Sequence, residues 1–222
     1  ADHSNVGKNG AFSVLTDVAI GVAGEIFVAG YFYGEIAFGP PGPNTLVSNL
    51  NSGYHEEGFV AKADPMGNWM WASSFSTLVN GTGEFSRTTA LAVDMMGNLF
   101  VTGEFTGETD FGGLSINATS QDIYLAKFDG NMGTLDWVIN GGGIGTDRVF
   151  DIALMPNGGA KLATITDGLS QWGTNTYIAN GQIDAVLVDI DPNGAPMSTT
   201  GIGTSGQITA ILKLHVDGGG DT

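Results

Sequence analysis

The chain has 222 residues, 36 of them glycine, and sets 23 acidic residues against 7 basic ones for a net charge of −16. Its few Lys and Arg residues are scattered, which excludes phosphate-rich partners and anionic membrane surfaces, since both need clustered cations. Apolar residues make up 42% and cysteine is absent, so the chain can bury a core without disulfides and is neither collagen-like nor a solvated acidic coil.

In chain order, residues 1–11 read as the tail of a preceding repeat or an N-terminal strand, with an Asn9-Gly10 pair near the end. A first unit covers 12–84 and contains VAIGVAGEIFVAGYFYGEIAFG (18–39) and GFVAKADPMGNWMW (58–71), separated by an inserted loop at 40–57. A second unit, 85–148, repeats both blocks. Gly24, Gly30, Gly34, Phe38 and Gly39 fall on Gly97, Gly103, Gly107, Phe111 and Gly112 without a gap. A third unit, 149–207, is weaker but keeps Gly158, Gly168, Trp172 and Gly173 in frame. Lys62 coincides with Lys127, Trp71 with Trp137, and Asp64 with Asp129 and Asp191; the third unit has Asp189 for the Lys and Ser198 for the Trp. Residues 208–222 open a fourth unit with ITAILKL.

Each unit reads as short apolar or alternating runs broken by Gly, Asn, Asp and Pro, which is the pattern of strands and hairpin turns. No window shows a capped 3.6-residue period, so no helix is expected. Gly30 and Gly103, inside strands, predict a bulge or a close backbone approach. The expected fold is all-β: a β-propeller-like repeat of four-stranded blades, about three complete blades plus the first strand of a fourth. Three blades and a strand do not close a ring, so the chain reads as a fragment of a longer protein or as a protomer completed by other chains.

The pattern GNLFVTGEFTG…DFGG…DIYLAKFD…W, spread over residues 97–137, resembles the bacterial β-propeller repeat abbreviated SBBP, and the resemblance extends over nearly the whole chain. It implies a secreted or cell-surface bacterial protein and brings no catalytic residue with it.

Candidate sites follow from the loops and the acids. Loops on a rigid scaffold commonly carry binding function, so Tyr54, His55, Glu56 and Glu57 at the end of the inserted loop, with Trp69, are the candidate binding residues for a protein or glycan at the cell surface. Trp71, Trp137, Phe38, Phe111 and Trp172 recur in the repeat and are read as packing between units. Asp64, Asp129, Asp191 and Asp217 offer oxygen ligands for calcium, but none has the spacing of a known calcium loop, and an Asp-x-x-Gly run such as that at Asp64 is the pattern of a hairpin turn. No cofactor and no metal centre is expected. Catalysis is not expected either: the three histidines are dispersed, and GIGTSG (201–206) leads into a strand where a phosphate loop needs a helix. The alternatives are a structural protomer of a filament or larger assembly, and a carbohydrate-active enzyme with rim carboxylates among Glu56, Glu57, Asp110 and Asp122.

Overall fold

A computed structural model describes residues 11–40, 42, 44–48, 55–78 and 84–215. The expected absence of helix holds among these residues, and the architecture is all-β. The first unit is an antiparallel meander of β1 (Phe12–Ile20), β2 (Ile26–Tyr33), β5 (Glu57–Ala63) and β6 (Trp69–Leu78), with a short hairpin, β3 (Glu35–Ala37) and β4 (Thr45–Val47), inserted after β2. The second unit has the same order: β7 (Ser86–Val93), β8 (Leu99–Asp110), β9 (Ser115–Phe128) and β10 (Leu135–Gly141). Its inserted hairpin is the far end of β8 and β9, where Asp110 lies opposite Ser115. The third unit is β11 (Asp147–Leu154), β12 (Ala160–Thr166), the hairpin β13 (Leu169–Trp172) and β14 (Asn175–Ile178), then β15 (Asp184–Ile190) and β16 (Pro196–Ile202). β11 starts at Asp147, two residues ahead of the boundary read from the sequence.

Successive units meet through the same backbone bonds. Ser86 N–H donates to Glu56 O at 2.8 Å, and Gln121 and Thr146 form a parallel bridge at the next junction. Thr209 N–H donates to Ile183 O at 2.8 Å, so residues 208–215 begin alongside the third unit as the second and third units begin alongside their predecessors. The inserted hairpins of the second and third units also pair with the end of the previous unit's last strand. Ser76 lies opposite Asp110, and Gly142 exchanges both backbone bonds with Gln171. Among the described residues no ring is closed.

Every first strand carries a bulge at the same place, between Leu15 and Asp17, Thr88 and Ala90, and Val149 and Asp151. Gly103 is the close approach that the repeat predicted: a Cβ there would collide with the Arg87 carbonyl and sit 2.7 Å from Tyr124 Oη. Just past the bulge, Asp17 Oδ2 accepts Leu91 N–H at 3.0 Å, and Asp151 Oδ2 accepts Leu214 N–H at 2.7 Å. A carboxylate on one first strand thus grips the backbone of the next.

Two of the three core clusters lie between units; the third, with Phe32, Phe38 and Phe59, belongs to the first unit and its inserted hairpin. One cluster joins Phe27, Val60 and Phe75 of the first unit to Leu99, Phe105, Phe111, Tyr124 and Phe128 of the second. A second joins Phe100, Ile123 and Leu125 to Ile152, Leu162, Trp172 and Val186. The recurring aromatics are packing groups, as the repeat implied. Trp71 lies over Gly133 and Trp137 over Gly194, each on the hairpin turn of the following unit, and Trp71 Nε1–H donates to Gly130 O at 3.2 Å.

The two junctions fill one space in different ways. Phe111 stacks on Phe75 with centroids 4.7 Å apart. At the equivalent place Trp172 lies on Gly141, where any Cβ would collide with the indole. Truncating Trp172→Ala should cost about 3–5 kcal/mol by opening a cavity, and Gly141→Val should cost several kcal/mol by overpacking. Denaturant unfolding of the double variant should show a loss well below the sum of the two, since the new valine enters the space left by the indole.

Candidate functional site

The candidate residues do not converge on one site. Tyr54 and Asp217 lie outside the described residues. His55 is buried, its Nδ1–H directed at Glu84 O at 2.8 Å. Glu57 is buried at the head of β5, where Ser76 Oγ donates to its Oε2 at 3.4 Å. Glu56 forms an ion pair with Arg87 of the next unit. Trp69 stands apart at the start of β6, packed edge-on against Phe38 with centroids 4.8 Å apart.

The acids at the head of each third strand have a common task. Asp122 accepts Thr119 N–H at 2.9 Å and Gly143 N–H at 3.1 Å. Asp184 accepts Asn180 N–H at 2.7 Å, Gly181 N–H at 3.1 Å and the Tyr177 hydroxyl at 2.8 Å. Asp122 and Asp184 therefore hold the residues that turn the chain at the unit's edge, and Glu57 occupies the same place in the first unit. Asp110, the other rim acid considered for catalysis, caps its own hairpin by accepting Gly112 and Gly113 N–H groups. Each of the four rim carboxylates is engaged by a different partner set.

The aspartates considered for calcium are turn acceptors. Asp64 Oδ1 accepts Met66 and Asn68 N–H groups at 2.9 and 2.8 Å, and its Oδ2 accepts the Asn68 side-chain amide at 2.8 Å. Asp129 accepts Asn131 and Met132 N–H groups, and Asp191 those of Asn193 and Ala195. Hydrogen bonding from the Asn68 side chain and backbone holds Asp64 below the usual carboxylate range, and the Met132 and Asn131 amides do the same for Asp129. With their oxygens already accepting N–H groups, these turns should not change stability with calcium. Melting curves in millimolar calcium and in excess chelator should superimpose.

The two arginines of the chain, Arg87 and Arg148, occupy the same place in the second and third units, a coincidence visible in the repeat frame. The Arg87 guanidinium lies 5.3 Å from the Tyr31 ring centroid and 4.6 Å from that of Phe85. Glu104, opposite Arg87 in register, accepts the Gln121 side-chain amide at 2.9 Å. Burial raises its pKa to about 6 against the pull of Arg148 and Arg87. These groups tie neighbouring units at one rim.

Two grooves repeat on the first and second units, each between the tip of the inserted hairpin and the turn before the fourth strand. One, of about 280 Å³, is lined by Phe38, Gly39, Pro40, Asn44, Asn68 and Trp69. Its counterpart, of about 360 Å³, carries Phe111, Gly112, Leu114, Phe128 and Leu135. Leu135 stands where the first groove has Trp69. Asn44 Nδ2–H donates to Trp69 O at 3.3 Å, fixing the hairpin over the tryptophan strand.

Asp147 belongs to no motif in the sequence, and the repeat frame shows why it matters. Its counterpart Ser86 donates its hydroxyl to Phe75 O at 2.7 Å and accepts Gly58 N–H at 3.0 Å, bridging two strands of the first unit. Asp147 is fully buried at the next junction, and neither of its oxygens meets a donor in hydrogen-bonding geometry among the described residues. Burial raises its pKa to about 7; nearby Ser170 and Thr166 hydroxyls pull it down, and the Asp122 and Asp167 carboxylates push it further up. A raised carboxyl pKa means that the folded chain holds a proton the unfolded chain releases, so stability falls as pH rises from about 4 to about 7. The full loss is up to about 4 kcal/mol above that window. Asp147→Ser, the residue of the second unit, should remove Asp147's share of the pH dependence in thermal melts between pH 4 and 8, leaving the smaller share of Glu104, whose pKa burial raises to about 6.

No family model matches the chain, and no curated protein matches its sequence.

Proposed function

We propose that this chain is part of a β-propeller-type scaffold of the SBBP kind, exposed outside or on the surface of a bacterial cell, whose first unit offers the Trp69 groove to a glycan. The observation that carries the ligand reading is the make-up of that groove. A half-buried indole flanked by the Asn44 and Asn68 side chains combines an apolar face for a sugar ring with amides for its hydroxyls. The scaffold reading is supported by identical bonds at successive junctions, which hold each unit rigidly on the last. No helix among the described residues is long and apolar enough to cross a membrane.

Trp69→Leu tests the glycan reading, because leucine fills the equivalent place in the second unit. Binding of neutral oligosaccharides on a glycan array, followed by calorimetry, should be lost in this variant while its melting temperature stays close to that of the native chain. An array without hits, or equal binding by the variant, sinks the proposal.

A second reading, assembly with further units of this repeat, is supported by the face of β1. Leu15 and Val18 are 61% and 59% exposed, whereas their counterparts Thr88 and Leu91, covered by the preceding unit, are 0% and 6% exposed. Association through this face predicts sedimentation above the 22.9 kDa of one chain that reverts to monomer in Val18→Asp. A native chain that stays monomeric at high concentration counts against it.

A further inference from the structure

Hairpin turns that face water are ordinarily polar, yet in the first and second units they carry methionine. Met66, Met95, Met96 and Met132 are 85%, 88%, 78% and 68% exposed. They lie in the turns joining β5 to β6, β7 to β8 and β9 to β10, all at one end of the sheets. These turns are neighbours. Gly130 lies against the Gly97 carbonyl, and the Trp71 indole, two residues into β6, rests on Gly133 and donates to Gly130 O. Val22, 69% exposed, extends the same edge, since the β1–β2 turn meets Pro65 through Gly24.

The fold does not require these methionines. In the third unit Asn157 and Asn193 occupy the places of Met96 and Met66. The glycines that follow have the same backbone: φ is 85° and 87° at Gly158 and Gly194, and 85° at both Gly97 and Gly67. The apolar edge is thus a feature of two units laid over a turn that works equally well with asparagine. Acids accompany it. Asp64, Asp94 and Asp129 sit in the same turns, their carboxylates held by turn amides, and Asp64 and Asp129 are kept ionised by those bonds. The lysines nearby turn inward: Lys62 is buried over the Phe27 ring, and Lys127 lies 5.3 Å from the Phe100 centroid.

We propose that this edge docks a cationic amphipathic segment of a partner protein, the methionines taking its apolar face and the turn aspartates its Lys and Arg side chains. Methionine suits the task because its unbranched, polarizable chain repacks around varied apolar surfaces. An exposed apolar stretch rimmed by charge is a common mark of a protein-binding surface. Amphipathic helices dock on such surfaces through residues spaced along one face. A chain of net charge −16 draws a basic partner and repels an anionic lipid surface.

The test titrates the full chain with an amphipathic helical peptide of about five turns built from Leu and Lys, and with a scrambled peptide of equal charge that lacks an apolar face. Calorimetry at physiological salt should give binding of the amphipathic peptide about tenfold or more tighter than that of the scrambled one. The combined variant Met66→Asn, Met95→Asn, Met96→Asn, Met132→Asn alters no charge and keeps Trp69. It should lose that tenfold preference at an unchanged melting temperature. Should the fourfold variant fold poorly, the pair Met66→Asn and Met96→Asn, which copies turns the third unit already uses, carries the comparison with a smaller loss of the same sign. Equal preference in variant and native chain, no binding of the amphipathic peptide, or stronger uptake by phosphatidylglycerol vesicles than by the peptide would each overturn the proposal.

Discussion

The junction between one four-stranded unit and the next is the constraint from which most of the remaining structure follows. A single meander of this size has two apolar faces and cannot bury both by itself. The faces of the second unit are closed only because the first and third units lie against them, one through Phe27, Val60 and Phe75, the other through Leu162, Trp172 and Val186. Position between units is set by backbone bonds at fixed places, from Glu56 to Ser86 and from Ile183 to Thr209. Carboxylates just past the bulge, Asp17 and Asp151, add a second grip. The bulge turns the first strand so that these bonds can form. The apolar area buried on both sides then holds them in water-poor surroundings, where they are hard to exchange for solvent.

Once the junction is fixed, the units tolerate large changes provided that partners change together. Phe27 and Phe100 lie opposite Lys62 and Lys127 on the neighbouring strand, and each ammonium sits over a ring. In the third unit the same cross-strand pair is Lys161 and Asp189, with 3.1 Å between the charged atoms. The lysine has moved to the partner strand and an aspartate has replaced the original one. Ser198, standing where a tryptophan recurs, then donates its hydroxyl to Asp189 at 2.7 Å. Lys62 itself pairs with Glu25 of its own unit at 3.4 Å and also acts on Asp129 of the next. These three departures from the repeat in the third unit are one coordinated rearrangement.

Much of this is legible in the sequence because repetition makes packing visible. Trp71 and Trp137 declare a common role by coinciding, and each is found on a glycine of the following turn. Asp64, Asp94 and Asp191 declare theirs by the Asp-x-x-Gly spacing. What repetition hides is the residue that differs. Asp147 replaces a serine at one junction only, and its cost depends on burial and on which neighbours lack a free donor, neither of which spacing records. The arginines look like scattered charges although they share a frame position, because their distances to Glu56 and Glu104 exist only after three units are stacked. The length of the inserted loop draws attention to it, yet the described residues at its end, His55, Glu56 and Glu57, are tied to the scaffold. A loop that returns to a buried strand must end in residues that serve the strand.

The acidity of the chain is spread over distinct physical roles. One set of carboxylates is consumed inside the protein: Asp17 and Asp151 on the next strand's backbone, Asp122 and Asp184 on the chain reversals at the unit edges. Most of the bonds to these carboxylates come from neutral N–H groups, and Asp151 also pairs with Lys213 at 3.5 Å, so few cations are needed for 23 acids to coexist with 7 bases in a packed fold. A second set, at the hairpin turns, is bonded in the same way but stands at the water-facing edge. Its field reaches outward, because the nearby lysines turn inward over aromatic rings. The net charge is therefore a by-product of using carboxylates as backbone caps, and it acts on partners only where those caps lie at the surface.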